Sequence, residues 1–145
     1  MRITNIHTAA FAQGEAYGDE PAWRFLDLSG EHLGVRVEET PVGGTTSRHH
    51  YHTAEEEHVL VLEGNATLHL GEELIELGVG DHVWFPAGER LAHHIRNTSA
   101  ASFKYLVFGE RKQDDVVFYP HGKVVLVKSA AGVQQYTYES REVQE

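Results

Sequence analysis

Residues 44–64 read GTTSRHHYHTAEEEHVLVLEG, and this stretch decides how the rest of the chain is interpreted. Side chains two positions apart on a β-strand project to the same face, so His50 and His52 can offer two nitrogens to one metal ion. A short link leads to Glu57 at the head of the next predicted strand, where its carboxylate could supply a third ligand. The stretch therefore predicts a metal site, although a His-x-His pair alone is more often solvated or structurally bonded.

The composition restricts the chemistry of such a site and the partners of the chain. The 145 residues include 11 histidines and no cysteine, which excludes thiolate metal sites, disulfides and cysteine nucleophiles. A formal net charge of -10 would repel a phosphate backbone, so we expect no nucleic-acid partner. No run approaches the roughly 20 apolar residues of a membrane helix, and the start does not resemble a secretory signal. We therefore expect a cytoplasmic protein without a membrane partner.

Short β-rich runs separated by Gly, Pro, Asn or acidic residues follow one another from Trp23 onward, and this pattern predicts an all-β fold. The predicted strands are 23–28, 33–40, 49–52, 57–62, 66–70, 74–77, 81–85, 91–96, 103–108, 116–119, 123–127 and 134–138. The length fits a single domain over 1–145. Within it we expect an N-terminal arm (1–20), a barrel (31–108) and a C-terminal β extension (110–145).

The quoted stretch resembles the first sequence motif of the cupin superfamily. Its matching positions, at the spacing of that motif, are Gly44, His50, His52, Glu57 and Gly64. A second stretch, residues 80–88 (GDHVWFPAG) followed by a histidine and an asparagine, resembles the second cupin motif. Together the two stretches span about residues 31–108, and the chain is accordingly interpreted as a small single-domain cupin.

The histidine of the second motif is chosen between two neighbours. The family usually leaves two residues between the last glycine and the histidine, whereas residues 89–92 separate Gly88 from His93 here. We prefer His93 because the three-residue spacing to Asn97 is retained. His93 also shares strand parity with apolar Leu91 and Ile95, whereas His94 would then point outward.

The resemblance implies a double-stranded β-helix, or jelly-roll barrel, with one metal ion inside. Its expected ligands are His50, His52, Glu57 and His93. Three imidazoles and one carboxylate suit Mn, Fe, Co, Ni, Cu or Zn, and the ligand set does not choose among these divalent ions. Relatives of this kind commonly form homodimers, and a homodimer is expected here as well.

The function that follows is a metalloenzyme acting on a small polar metabolite, of the dioxygenase or the sugar-phosphate isomerase type. The alternative is a non-catalytic module that captures a sugar or carboxylate through the metal. Arg48 shares parity with the paired histidines and is a candidate to bind a substrate anion, with a surface salt bridge as the other interpretation. Tyr105 is a candidate pocket residue, or else part of the core. The sequence identifies no catalytic residue.

Overall fold

A computed structural model describes residues 1–139, and over this range the backbone consists of β-strands, turns and one short 3-10 helix, Pro120–Gly122. The strands are β1 (Ala12–Gln13), β2 (Arg24–Asp27), β3 (Leu33–Thr40), β4 (Tyr51–His52), β5 (Glu57–Glu63), β6 (Ala66–Leu70), β7 (Glu73–Leu77), β8 (His82–Phe85), β9 (His93–Arg96), β10 (Phe103–Glu110), β11 (Val116–Tyr119), β12 (Val124–Ser129) and β13 (Gly132–Thr137). The all-β prediction is confirmed. Within residues 1–139, no helix has the length and apolar character needed to cross a membrane.

The strands form two antiparallel layers. The first layer is one sheet with the order β1-β2-β3-β10-β5-β8. The second contains the sheets β7-β6-β9 and β13-β12-β11-β4, which are connected where His50 bridges His93 and Thr45 bridges Arg96. Strands far apart in sequence, such as β3 and β10 or β4 and β11, are neighbours in space, as a jelly roll requires. The predicted jelly-roll barrel is confirmed.

The core lies between the two layers. Buried side chains of β5 and β10, among them Val59, Val61 and Phe103, pack against Leu68 of β6 and Ile95 of β9. Burying an apolar side chain of this size contributes roughly 1.5–3 kcal/mol, so this cluster supplies much of the driving force for folding. Because side chains alternate along a strand, the face of β5 that carries Val59 and Val61 also carries Glu57. The carboxylate of Glu57 is thereby directed into the barrel.

A close approach of two strands fixes the backbone at Glu57. Gly109 of β10 lies opposite Glu57 in the register of β5. A Cβ atom at Gly109 would overlap the carbonyl oxygen of Glu56, so only glycine lets β10 pack this closely.

The segments that precede and follow the predicted barrel pair with its strands. In the predicted arm, β1 pairs with β2, and the Gly14 N–H donates to the Trp23 carbonyl at 2.8 Å. At the other end, β11 pairs with β4, and β12 and β13 continue that sheet. The C-terminal extension therefore completes a wall of the barrel. Residues 140–145 of the predicted extension lie outside the described residues.

Candidate metal centre

The four residues named as expected ligands converge inside the barrel. The Nε2 atoms of His50 and His52 each lie 3.6 Å from Oε2 of Glu57, and that of His93 lies 3.7 Å from the same oxygen. The ligand atoms of His50, His52 and Glu57 all lie within 4.8 Å of one another. A group of three imidazole nitrogens and one carboxylate oxygen at this spacing could hold one transition-metal ion.

Three local features of the chain bring these side chains together. His52 is in β4 and His50 bridges to His93, so these segments run side by side in the second layer. Glu57 begins β5 in the first layer and faces them across the interior. The linker between His52 and Glu57 is short, which keeps the two layers in contact at this end of the barrel.

Each histidine ring is oriented by a contact on its other side. Nδ1 of His50 donates to the Arg48 carbonyl at 2.7 Å, and Nδ1 of His52 donates to Oδ2 of Asp115 at 2.7 Å. The His93 ring stacks on Phe85 with centroids 3.6 Å apart. The two hydrogen bonds keep a proton on Nδ1 of His50 and of His52, so Nε2 of each is the nitrogen available to a metal. Among the described residues, the buried Nε2 of His93 has no hydrogen-bond partner, as expected of a nitrogen placed to bind an ion.

The charges of the group favour an anionic carboxylate beside the imidazoles. Burial alone would raise the pKa of Glu57, but the three imidazoles beside its carboxylate outweigh burial and hold the pKa well below its usual value. Burial also lowers the pKa of His93. For His52, burial is outweighed by its hydrogen bond to Asp115 and by the neighbouring Glu57 carboxylate, which raise its pKa to about 9. Metal binding requires the neutral imidazole and therefore competes with protonation of His52.

Asp115 is a site residue that sequence reasoning missed. Its carboxylate is fully buried, and besides His52 it accepts from the backbone N–H groups of Ala54 at 2.9 Å and Glu55 at 3.2 Å. These donors lower the pKa of Asp115 despite its burial. Lys128 Nζ lies 2.7 Å from Glu55 and 3.4 Å from Asp115. His52, Glu55 and Asp115 form a second group with ligand spacing, but the Lys128 ammonium already supplies its positive charge.

The ligand group opens into a cavity of about 390 Å³. Tyr105 lines this cavity, as do three further residues that the sequence did not single out for the site: Arg36, Glu38 and Arg111. The Tyr105 hydroxyl donates to Oε2 of Glu38. Arg36 and Glu38 both point inward because they are two positions apart on β3. Strand alternation would have predicted them as cavity residues if the inner face of β3 had been known.

Arg48 does not line this cavity. Its side chain is exposed, its guanidinium carbon lies 5.2 Å from the centre of the Tyr119 ring, and it lines a neighbouring pocket of about 260 Å³. His49 and His94 also line that pocket, with their rings 5.0 Å apart, and His94 borders the first cavity as well. Burial and the neighbouring His69 lower the pKa of His94 to about 4.

Comparisons with known proteins agree with this architecture. A family model described as a cupin domain matches residues 36–109, just over half of the chain. The chain is 28% identical to a proposed sugar phosphate isomerase from Acidithiobacillus ferrooxidans, with a TM-score of 0.77 over 86% of this chain and 82% of that one. A comparison with curated proteins found none that matches the chain.

Two further solved structures share the fold at lower identity. A sugar phosphate isomerase of the cupin superfamily from Silicibacter pomeroyi is 23% identical, with a TM-score of 0.82 over 94% of this chain and 92% of that one. A predicted oxalate decarboxylase from Thermotoga maritima is 16% identical, with a TM-score of 0.66 over 77% of this chain and 100% of that one. At these identities the likeness concerns the fold alone.

Proposed function

The chain belongs to the cupin family, and we propose that it is a metal-dependent isomerase of small sugar phosphates. The observation that carries this proposal is the convergence of three Nε2 atoms on one carboxylate oxygen at the floor of a cavity, 3.6–3.7 Å from it. The same cavity is lined by an acid and by arginines, which are the groups that proton transfer and anion binding require.

The proposed ligands of one divalent transition-metal ion are His50, His52, Glu57 and His93. The ion is Mn, Fe, Co, Ni, Cu or Zn, since all of these accept nitrogen and carboxylate ligands. When bound, it would supply a positive charge that polarises a carbonyl or hydroxyl oxygen of the substrate. The residues themselves supply the orientation: the Arg48 carbonyl and Asp115 hold His50 and His52 with Nε2 toward the interior.

The cavity suits a small anionic substrate. Its volume of about 390 Å³ is near the lower end of the roughly 300–1,000 Å³ of ligand pockets. Arg36 lies in its wall, with its guanidinium carbon 4.7 Å from the centre of the Phe25 ring and its side chain 41% exposed. A guanidinium held on an aromatic ring is placed to pair with a phosphate or carboxylate. The 28% identity to a proposed sugar phosphate isomerase supports the phosphate.

We further propose that the chain works in the cytoplasm as a single-domain homodimer. Among the described residues, strand β13 is the edge of its sheet and all its residues are exposed, so it offers an edge for pairing with a second copy. Light scattering at working concentration should give twice the chain mass of 16.2 kDa, and a monomer would contradict the dimer.

The first test is metal content and turnover of protein purified without an affinity tag. We expect about one equivalent of a single transition metal per chain by mass spectrometry of the metals, and its loss in a His50→Ala/His52→Ala variant. The loaded protein is then incubated with hexose and pentose phosphates and followed by NMR, with and without air. Aldose–ketose interconversion without oxygen supports the isomerase. Oxygen consumption favours a dioxygenase, and binding without conversion favours a capture module.

A control variant separates specific from adventitious binding. His121→Ala removes an exposed histidine that lies outside the ligand group, and it should leave the metal content unchanged. Wild-type protein that stays empty after reconstitution with Mn, Fe, Ni and Zn would contradict the metal site.

A further inference from the structure

A carboxylate that the metal group does not use lies on the same inner wall of the barrel. Glu38 of β3 is paired with Tyr105 of β10, and the register continues to Val61 of β5. Glu38 is 7% exposed and Tyr105 is 2% exposed, and both line the cavity that contains the metal group. Apart from Glu57, the inward residues of β5 and β10 nearby are apolar: Val59, Val61, Phe103 and Val107.

Burying this carboxyl group lowers the stability of the fold. Burying a carboxyl group away from water costs several kcal/mol unless hydrogen bonds and charges compensate for it. Oε2 of Glu38 accepts from the Tyr105 hydroxyl, while Oε1 lies 3.7 Å from Nη1 of Arg36, too far for a hydrogen bond. One carboxylate oxygen thus accepts from Tyr105, and the other lies near Arg36 without a hydrogen bond to it.

The pairing of β5 with β10 is irregular at this position. Lys104 lies opposite Glu63 and Tyr105 lies opposite Val61, so β5 carries one extra residue, Leu62, which is the signature of a β-bulge. Bulges re-aim the following side chain and are frequent beside active sites. Tyr105 lies directly beside this bulge and its hydroxyl donates to Glu38, while Lys104 pairs with Glu63 at 3.1 Å on the outer side.

We propose that Glu38 is the acid–base group of this cavity, that Tyr105 positions it, and that Arg36 holds the phosphate of a small sugar phosphate during proton transfer. The inference rests on the proposed isomerase function and assigns its proton-moving residue. It also separates an enzyme from a capture module, since capture needs the metal and Arg36 but no proton-transfer group.

The proton step balances without an oxidant or reductant. The Glu38 carboxylate takes the proton from the carbon beside the substrate carbonyl, and the C–H electron pair becomes the carbon–carbon double bond of an enediolate. A hydroxyl proton passes from the neighbouring oxygen to the former carbonyl oxygen. The proton on Glu38 then returns to the former carbonyl carbon as the new carbonyl forms beside it. Glu38 ends as a carboxylate, and the product has the same atoms as the substrate.

The electrostatics of the wall are consistent with this role. Burial raises the pKa of Glu38 to about 7, against the lowering effects of the Tyr105 hydroxyl and the Arg36 charge. Titratable groups facing Glu38 are Tyr105 from β10, Glu57 from β5, Tyr17 from the arm and Arg36 from its own strand. Burial and Glu38 raise the pKa of Tyr105 well above its usual value, so its hydroxyl remains a donor. A carboxyl that titrates near neutrality can both accept and return a proton.

The test compares Glu38→Gln with Glu39→Gln, a matched control on the neighbouring outward position, where Glu39 pairs with Arg24 at 2.9 Å. Metal-loaded proteins are incubated in D2O with glucose 6-phosphate, fructose 6-phosphate and ribose 5-phosphate, and NMR follows interconversion and deuterium uptake at carbon. We expect Glu38→Gln to keep its metal and to lose roughly 10²–10⁴-fold in rate. Glu39→Gln should match wild type.

The outcomes separate the two proposals. If wild type converts a substrate and metal-loaded Glu38→Gln converts it as fast, the assignment of Glu38 is overturned while the isomerase stands. If metal-loaded wild type converts none of the three and exchanges no deuterium, the isomerase function is overturned, and the assignment falls with it.

Tyr105→Phe tests the positioning role separately. Because the Tyr105 hydroxyl lowers the pKa of Glu38, its loss should move the acidic limb of the pH profile of kcat/KM to higher pH. A merely structural tyrosine would lower the rate without moving that limb. A 13C NMR titration of the Glu38 carboxyl gives an assay without substrate: the midpoint should be higher in Tyr105→Phe than in wild type, and an unchanged midpoint would overturn the positioning role of Tyr105.

Discussion

Replacing Asp115 by asparagine should weaken metal binding while leaving the fold largely intact. The amide oxygen of the introduced asparagine can still accept from the backbone N–H groups of Ala54 and Glu55, as Oδ1 of Asp115 does. The new NH2 group would then face Nδ1 of His52, where Oδ2 of Asp115 now accepts at 2.7 Å. His52 must therefore accept through Nδ1 and carry its proton on Nε2, which is the nitrogen assigned to the metal.

The size of the effect follows from this change of tautomer. Loss of the partner that orients a metal-binding histidine typically costs 10–100-fold in metal affinity, or about 1.4–2.8 kcal/mol. The replaced hydrogen bond involves a charged group, and its loss should lower the free energy of unfolding by about 1.5–3 kcal/mol at most. The variant should thus fold but hold its metal more weakly.

The assay is competition for Zn²⁺ between the protein and a chromophoric chelator, with thermal unfolding as the measure of folding. Asp114→Asn is the control, because Asp114 is the adjacent residue and is exposed. We expect Asp114→Asn to match wild type. A folded Asp115→Asn protein that binds Zn²⁺ within threefold of wild type would refute the reasoning.

Three further outcomes are expected. The pKa of Glu38 is raised from 4.5 to about 7, so the free energy of unfolding of wild type should fall relative to that of Glu38→Gln as the pH rises through this window, by about 3 kcal/mol at most. Urea unfolding at pH 4.5 and pH 8 measures this, and a difference between the two proteins that does not change with pH would contradict it. Arg36→Met should raise KM for a sugar phosphate at least tenfold with little change in kcat, and an unchanged KM would exclude Arg36 from anion binding. Gly109→Ala should lower stability by about 1–3 kcal/mol, because the added methyl group overlaps the Glu56 carbonyl, and an unchanged unfolding midpoint would contradict the close packing.

The parts of the site that the sequence predicts are those fixed by local geometry. Alternation along a strand and the motif spacings select His50, His52 and Glu57, and strand parity selects His93 over His94. The structure places the three histidines around one carboxylate oxygen of Glu57, whereas His94 lies at the border between the cavity and the neighbouring pocket. The same alternation does not extend to Arg48, because the chain bends at Ser47 and His49 before β4 begins.

The parts that sequence reasoning missed depend on pairing between distant strands. Asp115 reaches His52 across 63 residues because β11 pairs with β4, and nothing local to Asp115 indicates that partner. Glu38 meets Tyr105 through the register of β3 with β10, so its burial becomes visible only once that register is known. The inward position of Arg36 depends on the same register, whereas local parity with the paired histidines indicates Arg48.

The most direct test of the central claim is an anomalous diffraction experiment on crystals of the metal-loaded protein, collected at the absorption edge of the metal identified by mass spectrometry. The account predicts one strong anomalous peak inside the barrel, about 2.0–2.3 Å from Nε2 of His50, His52 and His93 and from a carboxylate oxygen of Glu57. A peak located only between His49 and His94 in the neighbouring pocket, or a loaded crystal with no peak at the four residues, would contradict it.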